Sequence, residues 1–521
     1  MKLKLLVIAT LILLQASTSS FAQQPNASQR SYQQARRVLD DAIEAHGGLE
    51  ALRAVKDFTL KEKGKIHARY QSPAAEPPFA TGTSEETLIV DTERGLVFDD
   101  LKTTNTGFNN WNRTIIKGTE GQNFDMWSKT VTPVVNPAVN NFRGQMRRLP
   151  PFVLLEALDR ASTLRWLGED EVGGKRQKVI SVMRPDNQQL SLSFDAQTNL
   201  LTRYGYLYAD PITGDSEIAQ TYSGYRTVGK LKLPGGRVLY NSGGPVQETE
   251  YTDVQINTRP AESVFQGPDG FEKLAAPPAT PPPPAVSKIA DDVYLLQGLA
   301  GGTHNTLFVA FNDHVLVLEA PEQIIYANNS VQALAKIKET VPGKPIKYLV
   351  LTHHHSDHAG GFREYAAEGV TIVTTAGTKS FLEKAAASES SLLPKLNQKL
   401  TIETIANKKR VFQDDKHIVE IYDIGPNPHA NEILVAYLPK EKILFQADLL
   451  NPAANGTIPI AQDTTISFSE RLEQLGFQVE KIYGVHGRAT TPEELRTSIE
   501  KRRSSELKLS APQTNTKSTS N

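Results

Sequence analysis

The stretch LVLTHHHSDHAGG, residues 349–361, carries four histidines and an aspartate within six consecutive positions. An apolar run comes first and predicts a short buried strand, and the paired glycines at its end allow a bend into a helix that begins near Phe362. In extended backbone His353 and His355 point to the same side, whereas Asp357 and His358 follow the strand and can turn towards a neighbouring position. The stretch therefore predicts a cradle for two adjacent metal ions.

A solvated histidine cluster is the alternative interpretation of this stretch. In a chain with 11 histidines, the pattern His-x-His-x-Asp-His is expected by chance on the order of once in ten thousand chains, so the pattern favours a metal site. His354 lies between two of the predicted ligands, and strand alternation places it on the opposite face. We therefore predict a structural or supporting role for His354.

The motif resembles the signature of the metallo-β-lactamase fold superfamily, whose members are mostly zinc-dependent hydrolases. The resemblance implies a four-layer αβ/βα sandwich with its site at one edge of the two central sheets. It also implies three further ligands, in chain order: His429 in GPNPH, Asp448 at the end of ILFQAD, and His486 in VHG. Each of these three matches is weak evidence alone, because a lone histidine beside glycine or proline is more often a surface residue. Together with the four ligands of the motif, however, the ordered set supplies seven ligands.

The resemblance also assigns roles. His353, His355 and His429 are implied to hold one ion, Asp357, His358 and His486 the other, and Asp448 bridges both. Two zinc ions are the implied cofactors, although nitrogen and oxygen ligands also accommodate iron or manganese. A hydroxide shared by the ions is the implied nucleophile, and Asp357 is the implied catalytic residue that orients it or receives its proton.

Some features of the sequence differ from the usual family pattern or from that of particular branches of the family. The loop after the third histidine reads His429-Ala-Asn-Glu432, where the family usually carries threonine or serine, one residue and glycine. The chain has no cysteine, which excludes lactamases with a cysteine ligand, and His355 stands where the di-iron flavoproteins carry an acidic residue. The turn GGTHN before an early strand adds His304 and Asn305 as candidates for substrate contact, with a simple β-turn as the alternative.

The N-terminal residues predict an exported protein. Residues 1–22 have a basic start, a short apolar core and small residues at the end, which predicts a cleaved signal peptide rather than a membrane anchor. Without cysteine the chain cannot form a disulfide framework. A formal net charge of -1 indicates no basic surface for nucleic-acid phosphates. We predict a periplasmic or secreted protein that acts on a small molecule; no feature points to a particular oligomeric state.

Composition and periodicity divide the 521 residues into segments. Residues 30–275 predict an antiparallel β-rich domain with helices, including a helix at Pro150–Leu167, and 276–286 a proline-rich spacer. Strands and helices alternate in 287–503, and the polar tail 504–521 predicts disorder. The opening HGGLEALRAVK, residues 46–56, followed by a long sheet, resembles the half-barrel of lipoprotein carriers, in which a sheet wraps around a helix. The predicted fold class is thus mixed α+β, with an αβ/βα sandwich in the C-terminal part.

The predicted function is metal-dependent hydrolysis of a carbonyl substrate, such as an ester, lactone or β-lactam. One alternative is a carrier for an apolar ligand in which the metal domain is subsidiary; such a domain is expected to have lost some of the seven ligands. Another is a mononuclear iron dioxygenase acting on a sulfur substrate. Metal content and colour distinguish these possibilities.

Overall fold

A computed structural model describes residues 24–105, 107–135, 148–185, 187–322, 329–391, 396, 400–453 and 456–509. The predicted signal peptide at 1–22 lies outside the described residues. Among the helices of the described ranges, none combines the length and apolarity needed to cross a membrane.

The N-terminal part is dominated by one large sheet. Its helices are α1 (Ala27–Ala45), α2 (Leu49–Arg53) and α3 (Pro150–Asp159). Its strands are β1 (Asp57–His67), β2 (Thr81–Asp91), β3 (Leu96–Asn105), β4 (Phe108–Lys117), β5 (Glu120–Asp125), β6 (Thr130–Val134), β7 (Arg165–Val172), β8 (Lys175–Met183), β9 (Gln189–Asp195), β10 (Leu201–Asp210), β11 (Gly214–Ser223), β12 (Arg226–Val228), β13 (Leu231–Leu233), β14 (Gly236–Asn241), β15 (Gly244–Ile256) and β16 (Glu272–Lys273). A 14-stranded sheet has the order β16-β6-β5-β4-β3-β2-β1-β15-β14-β11-β10-β9-β8-β7.

Helix α1 is specified by its cap and its apolar stripe. The Asn26 side chain accepts from the Gln29 amide, and the Gln29 side chain accepts from the Asn26 amide, so the pair forms a capping box. The stripe from Ala35 to Ile43 is buried, as a period of 3.6 residues requires. The helix ends where the buried His46 ring donates to the Ala42 carbonyl at 2.7 Å.

One apolar core joins the helices to the sheet. Leu39 of α1 and Leu154 of α3 are fully buried with Phe58 of β1, Ile116 of β4 and Phe194 of β9. The predicted antiparallel β-rich architecture with helices against the sheet is therefore confirmed, while the specific likeness to lipoprotein carriers stays a prediction. Burial of apolar surface stabilises this packing of helices on the sheet by about 25 cal/mol for each Å² removed from water.

Strand β2 ends at Asp91 and β3 begins at Leu96; Asp91 accepts from the Arg94 amide and closes the turn between them. One sequence prediction in this part needs correction. The helix predicted at Pro150–Leu167 ends at Asp159 instead. A short 3₁₀ turn and the start of β7 follow it.

The C-terminal part alternates strands and helices. Its strands are β17 (Ala285–Ala290), β18 (Val293–Gly298), β19 (His304–Ala310), β20 (Val315–Leu318), β21 (Ile346–Val350), β22 (Thr371–Thr374), β23 (Ile402–Thr404), β24 (Lys409–Gln413), β25 (Ile418–Asp423), β26 (Leu434–Leu438), β27 (Ile443–Gln446) and β28 (Lys481–Gly484). Its helices are α4 (Leu299–Gly302), α5 (Asn329–Thr340), α6 (Ser356–Ala359), α7 (Phe362–Ala367), α8 (Ala376–Ala386), α9 (Asp463–Leu475) and α10 (Pro492–Leu509). β17 thus begins inside the predicted spacer, and α10 runs past the predicted boundary at Arg503.

These elements form four layers. β17 to β23 make a 7-stranded sheet in chain order, and β24 to β28 make a 5-stranded sheet. Val309 and Ile421 share a core between the two sheets. The outer face of the first sheet packs on α5 and α8 through residues such as Ile337, and that of the second on α9 through Phe468. The predicted αβ/βα sandwich is confirmed.

Parallel pairing sets the position of the predicted site. β20, β21 and β22 are parallel neighbours, and β27 is parallel to β28. The carboxyl ends of parallel neighbours meet at one sheet edge. The His353–His358 loop follows β21, while Asp448 and His486 follow β27 and β28.

Candidate metal centre

Two groups of ligand-type side chains meet at this edge. The first is His353, His355, His429 and Asp448, and the second is Asp357, His358, Asp448 and His486; within each group the candidate ligand atoms lie within 4.8 Å of one another. All seven residues that the sequence singled out as ligands are thus brought together, and Asp448 is common to both groups.

Asp448 lies at the centre of the cluster. Its Oδ2 is 2.7 Å from His358 Nε2 and 3.0 Å from His429 Nε2. Its other oxygen, Oδ1, is 3.0 Å from His486 Nε2. The residue has a positive φ of 62°, a backbone conformation that costs energy for any residue other than glycine. The strand end therefore holds this carboxylate between the two histidine groups.

The donor set fits metal ions. His355 is fully buried, and its Nε2 hydrogen-bonds to the Ser72 carbonyl at 3.0 Å. Its Nδ1 is buried without a hydrogen-bond partner among the described residues. A buried nitrogen without a partner costs free energy unless something pairs with it, and a metal ion bound at Nδ1 satisfies that requirement.

The outer nitrogens of three other histidines are also fixed by the protein. His353 Nδ1 lies 2.9 Å from Thr352 Oγ1, and His486 Nδ1 lies 3.0 Å from the Thr303 carbonyl. His358 Nδ1 lies 3.0 Å from Glu319 Oε2. Such contacts select the tautomer and aim the remaining ring nitrogen into the cluster.

Glu319 is a site residue that the sequence interpretation missed. It is fully buried, its φ is 76°, and its Oε1 accepts from the Thr352 amide at 2.7 Å. One carboxylate therefore fixes both the backbone before the histidine loop and the His358 ring. A signal was present, because an acidic residue directly follows the apolar strand β20, which neighbours the strand that carries the motif.

The N-terminal part also reaches the cluster. Gln71, at the end of the 3₁₀ turn Arg69–Gln71, donates from Nε2 to Asp357 Oδ1 at 2.7 Å. The neighbouring Ser72 carbonyl is the partner of His355. Both contacts join residues more than 280 positions apart, so no local sequence signal could have found them.

Burial and charge set the protonation states of the cluster. Burial lowers the pKa of His353 and of His355 well below the ordinary value, so both rings are neutral and offer a lone pair. Burial disfavours the ionised form of Asp448, but the adjacent His358 and His486 hold its pKa well below the usual range. The centre therefore contains an ionised carboxylate among imidazole ligands.

The remaining predicted residues take different positions. His354 is buried, its ring lies against Phe381 with centroids 5.6 Å apart, and burial lowers its pKa to about 4. His304 is buried with Nε2 3.6 Å from Asp357 Oδ2. Asn305 donates from its side chain to the Gly484 and Gly487 carbonyls at 3.0 and 2.9 Å; these bonds hold the loop that carries His486 and favour a structural role over substrate contact.

A cavity of about 270 Å³ opens onto the cluster. Asp357, His429, Asp448 and His486 form its floor, and both parts of the chain form its walls. The wall residues are Gln71, Asn105 and Phe108 from the N-terminal part and Asn451 from the C-terminal part. The Phe108 ring meets the His429 ring edge-on, with centroids 5.3 Å apart.

Residues 327–486 match the family model described as the metallo-beta-lactamase superfamily. No curated protein matches the chain. Similar solved structures include a metallo-beta-lactamase from Pontibacter korlensis, 20% identical, covering 42% of this chain and 99% of that chain with a TM-score of 0.33. Another is a metallo-beta-lactamase from Hirschia baltica, 18% identical, covering 42% of this chain and 98% of that one with a TM-score of 0.32.

The family model covers the His353–His358 motif, His429, Asp448 and His486, all of which lie in the sandwich and converge at its edge. The resemblance inferred from the motifs is therefore confirmed for this region: the C-terminal domain is of the metallo-beta-lactamase superfamily.

Proposed function

We propose that this protein is a hydrolase that uses two divalent metal ions, expected to be zinc, to attack a carbonyl group of a small molecule. The observation that carries the proposal is the meeting of seven ligand-type residues in two groups that share Asp448. A domain that had lost its chemistry is expected to lack part of such a set, which disfavours a role as a carrier alone.

Each group has a defined part in the proposal. His353, His355 and His429 would hold one ion and Asp357, His358 and His486 the other, with Asp448 between them. When bound, the ions supply an activated water and polarise the substrate carbonyl. Iron or manganese also suits the nitrogen and oxygen ligands.

The chain's own groups position the reacting atoms. Gln71 fixes Oδ1 of Asp357, which leaves Oδ2 directed towards the cluster, 3.5 Å from His358 Nε2. That oxygen is placed to orient the attacking water or to receive its proton. His304 Nε2 lies 3.6 Å from the same oxygen and gives the carboxylate a further neighbour.

The walls of the cavity limit the substrate. Phe108 provides an apolar surface beside His429, and Asn105 and Asn451 provide amide groups near the floor. An ester, lactone or β-lactam of small size suits this arrangement. We also propose export to the periplasm or the medium, which the basic and apolar pattern of residues 1–22 supports.

Elemental analysis of the purified protein, combined with a panel of ester, lactone and lactam substrates, tests the proposal. We expect two zinc ions per chain and turnover of at least one class. Asp448→Ala is expected to lose at least one ion and to reduce turnover more than a hundredfold, because both groups share this carboxylate. Asp269→Ala, at an exposed aspartate, is the matched control. A single iron would favour the dioxygenase alternative, and a metal-free protein would exclude both.

A further inference from the structure

A second cavity adjoins the candidate metal centre. It has a volume of about 300 Å³ and lies between strands β4 to β6 of the N-terminal part and, in the C-terminal part, Asn451, Ala453 and residues 457–462. Asn451 lines both cavities, so the two cavities meet at this residue. We refer to it as the asparagine–tryptophan cleft, after Asn109, Asn110, Asn112, Asn123, Trp111 and Trp127 in its lining.

The lining of this cleft is polar but almost uncharged. Besides its five asparagines, Asn451 included, it presents hydroxyl groups, among them Ser128 and Thr132. Among the described residues that line it, Asp125 is the only charged one, and its Oδ1 already accepts from the Trp127 and Ser128 amides at 2.9 and 3.0 Å. The cleft therefore offers many uncharged hydrogen-bond donors and acceptors beside a single carboxylate.

We propose that the asparagine–tryptophan cleft binds a neutral carbohydrate segment of the substrate, whose reacting carbonyl then lies over the metal centre. This inference rests on the proposed hydrolytic function and names the class of molecule on which it acts. Sugar rings present hydroxyls and acetamido groups at their edges and C–H groups on their faces, which match amides and indole rings.

Two other ligand classes fit less well. A phosphorylated or carboxylated ligand needs cationic partners to replace its hydration, and no lysine or arginine is among the described residues of the lining. An acyl chain would bury the asparagine amides without hydrogen-bond partners, at a cost of about 1–3 kcal/mol for each such group. Hydroxyl groups of a sugar satisfy these amides directly.

The two tryptophans provide the surface for stacking. Trp127 is 46% exposed, a high value for so large an apolar side chain. Its ring lies edge-on to Trp111, with centroids 6.4 Å apart, and Trp111 is anchored by a bond from Nε1 to Asp100 at 3.0 Å. An exposed indole held against an anchored one at a polar cleft is suited to bind the apolar face of a ring.

Calorimetric titration of the full chain with the tetramer of N-acetylglucosamine tests this inference. A tetramer of galacturonic acid is the anionic comparison, and decanoate is the apolar one. The chain has 3 tryptophans, and two lie in the cleft, so a change of tryptophan fluorescence on binding reports the location. The variant is Trp127→Ala, and the control is Leu207→Ala, which removes another exposed apolar side chain, 79% exposed, from the same part of the molecule.

We expect saturable binding of the N-acetylglucosamine tetramer that weakens about tenfold or more in Trp127→Ala and changes less than twofold in Leu207→Ala. Zinc content and thermal unfolding of both variants should match the natural protein, which shows that the fold is retained. Lack of binding, equal binding by Trp127→Ala, or tighter binding of galacturonate or decanoate would overturn the inference.

Failure of the proposed function gives a different result. If the protein binds the tetramer through Trp127 but the metal-loaded form hydrolyses no carbonyl substrate, the carbohydrate site stands and the hydrolase proposal fails. If esters or lactams are hydrolysed while the tetramer does not bind, the hydrolase proposal stands and the carbohydrate site is excluded.

Discussion

Gln71 provides the sharpest test of how the N-terminal part supports the metal centre. Its Nε2 donates to Asp357 Oδ1 at 2.7 Å, and Asp357 belongs only to the second of the two ligand groups. Gln71→Ala removes this bond and leaves only contacts to Oδ2, such as that of His304, to orient the carboxylate. We therefore expect weaker binding of one ion and unchanged binding of the other.

The magnitude follows from the bond and its exposure. A hydrogen bond to a charged group contributes about 1.5–3 kcal/mol, and loss of a partner that orients a ligand typically lowers metal affinity about 10–100-fold, or about 1.4–2.7 kcal/mol. The Asp357 side chain is 20% exposed, so water can replace part of the lost bond. We therefore expect the lower end, a loss of about tenfold.

The assay is zinc titration of metal-free protein in competition with a chromophoric chelator. His486→Ala removes a residue of the second group. The zinc-binding step that is lost in this variant is therefore the one that belongs to the second group. Gln255→Ala is the matched control, because Gln255 also donates from Nε2 to an aspartate, at 2.9 Å, but lies exposed on β15. Unchanged affinities in Gln71→Ala, or an equal loss in both groups, would refute the reasoning.

Two further predictions concern backbone space and pH. A Cβ on Gly487, which has a φ of 78° and follows His486, would lie 2.1 Å from the Pro452 carbonyl oxygen, whereas one on Gly476, at a φ of 65°, meets nothing within 4 Å. Gly476→Ala should cost about 1–2 kcal/mol of unfolding free energy and Gly487→Ala about 1–3 kcal/mol more, measured by urea unfolding; equal costs would contradict the clash. Burial lowers the pKa of His46 from 6.5 to about 4, so its neutral form stabilises the fold fully above about pH 6.5 and this contribution falls away towards pH 4. Between about pH 6.5 and pH 4, the unfolding free energy of the natural protein should therefore fall by about 3 kcal/mol more than that of His46→Gln. Equal decreases in the two proteins would show that His46 is not responsible.

The C-terminal domain was predictable because its signals are local. The helix predicted to begin near Phe362 does begin there, since the paired glycines before it allow the bend. The ordered histidines and aspartates identify the centre without any knowledge of contacts. The same signals made Asn305 a candidate for substrate contact and did not indicate its bonds to the loop that carries His486, because spacing does not reveal what an amide faces.

The N-terminal part was harder to predict because its strands carry mixed signals. In β4, Asn109, Asn110 and Asn112 lower the strand propensity, and β6 contains Pro133. Tertiary pairing overrides both: β4 pairs with β3 and β5, and β6 is next to β5. The polar residues that obscured these strands are those that line the asparagine–tryptophan cleft.

The contacts between the two parts also change how the N-terminal part must be understood. A stiff spacer at 276–286 suggests two bodies that can be treated separately, but Ile212 is buried in the core formed by α5, α7 and α8. The Asp215 carboxylate accepts from the Ser391 amide at 3.0 Å, and Tyr70 packs edge-on against Phe381 with centroids 5.9 Å apart. These contacts flank the segment that carries Gln71. Because apolar packing fixes this segment, the bond to Asp357 can orient a ligand, which a loosely tethered domain could not do. The N-terminal part therefore contributes to the candidate metal centre through the connection between β1 and β2.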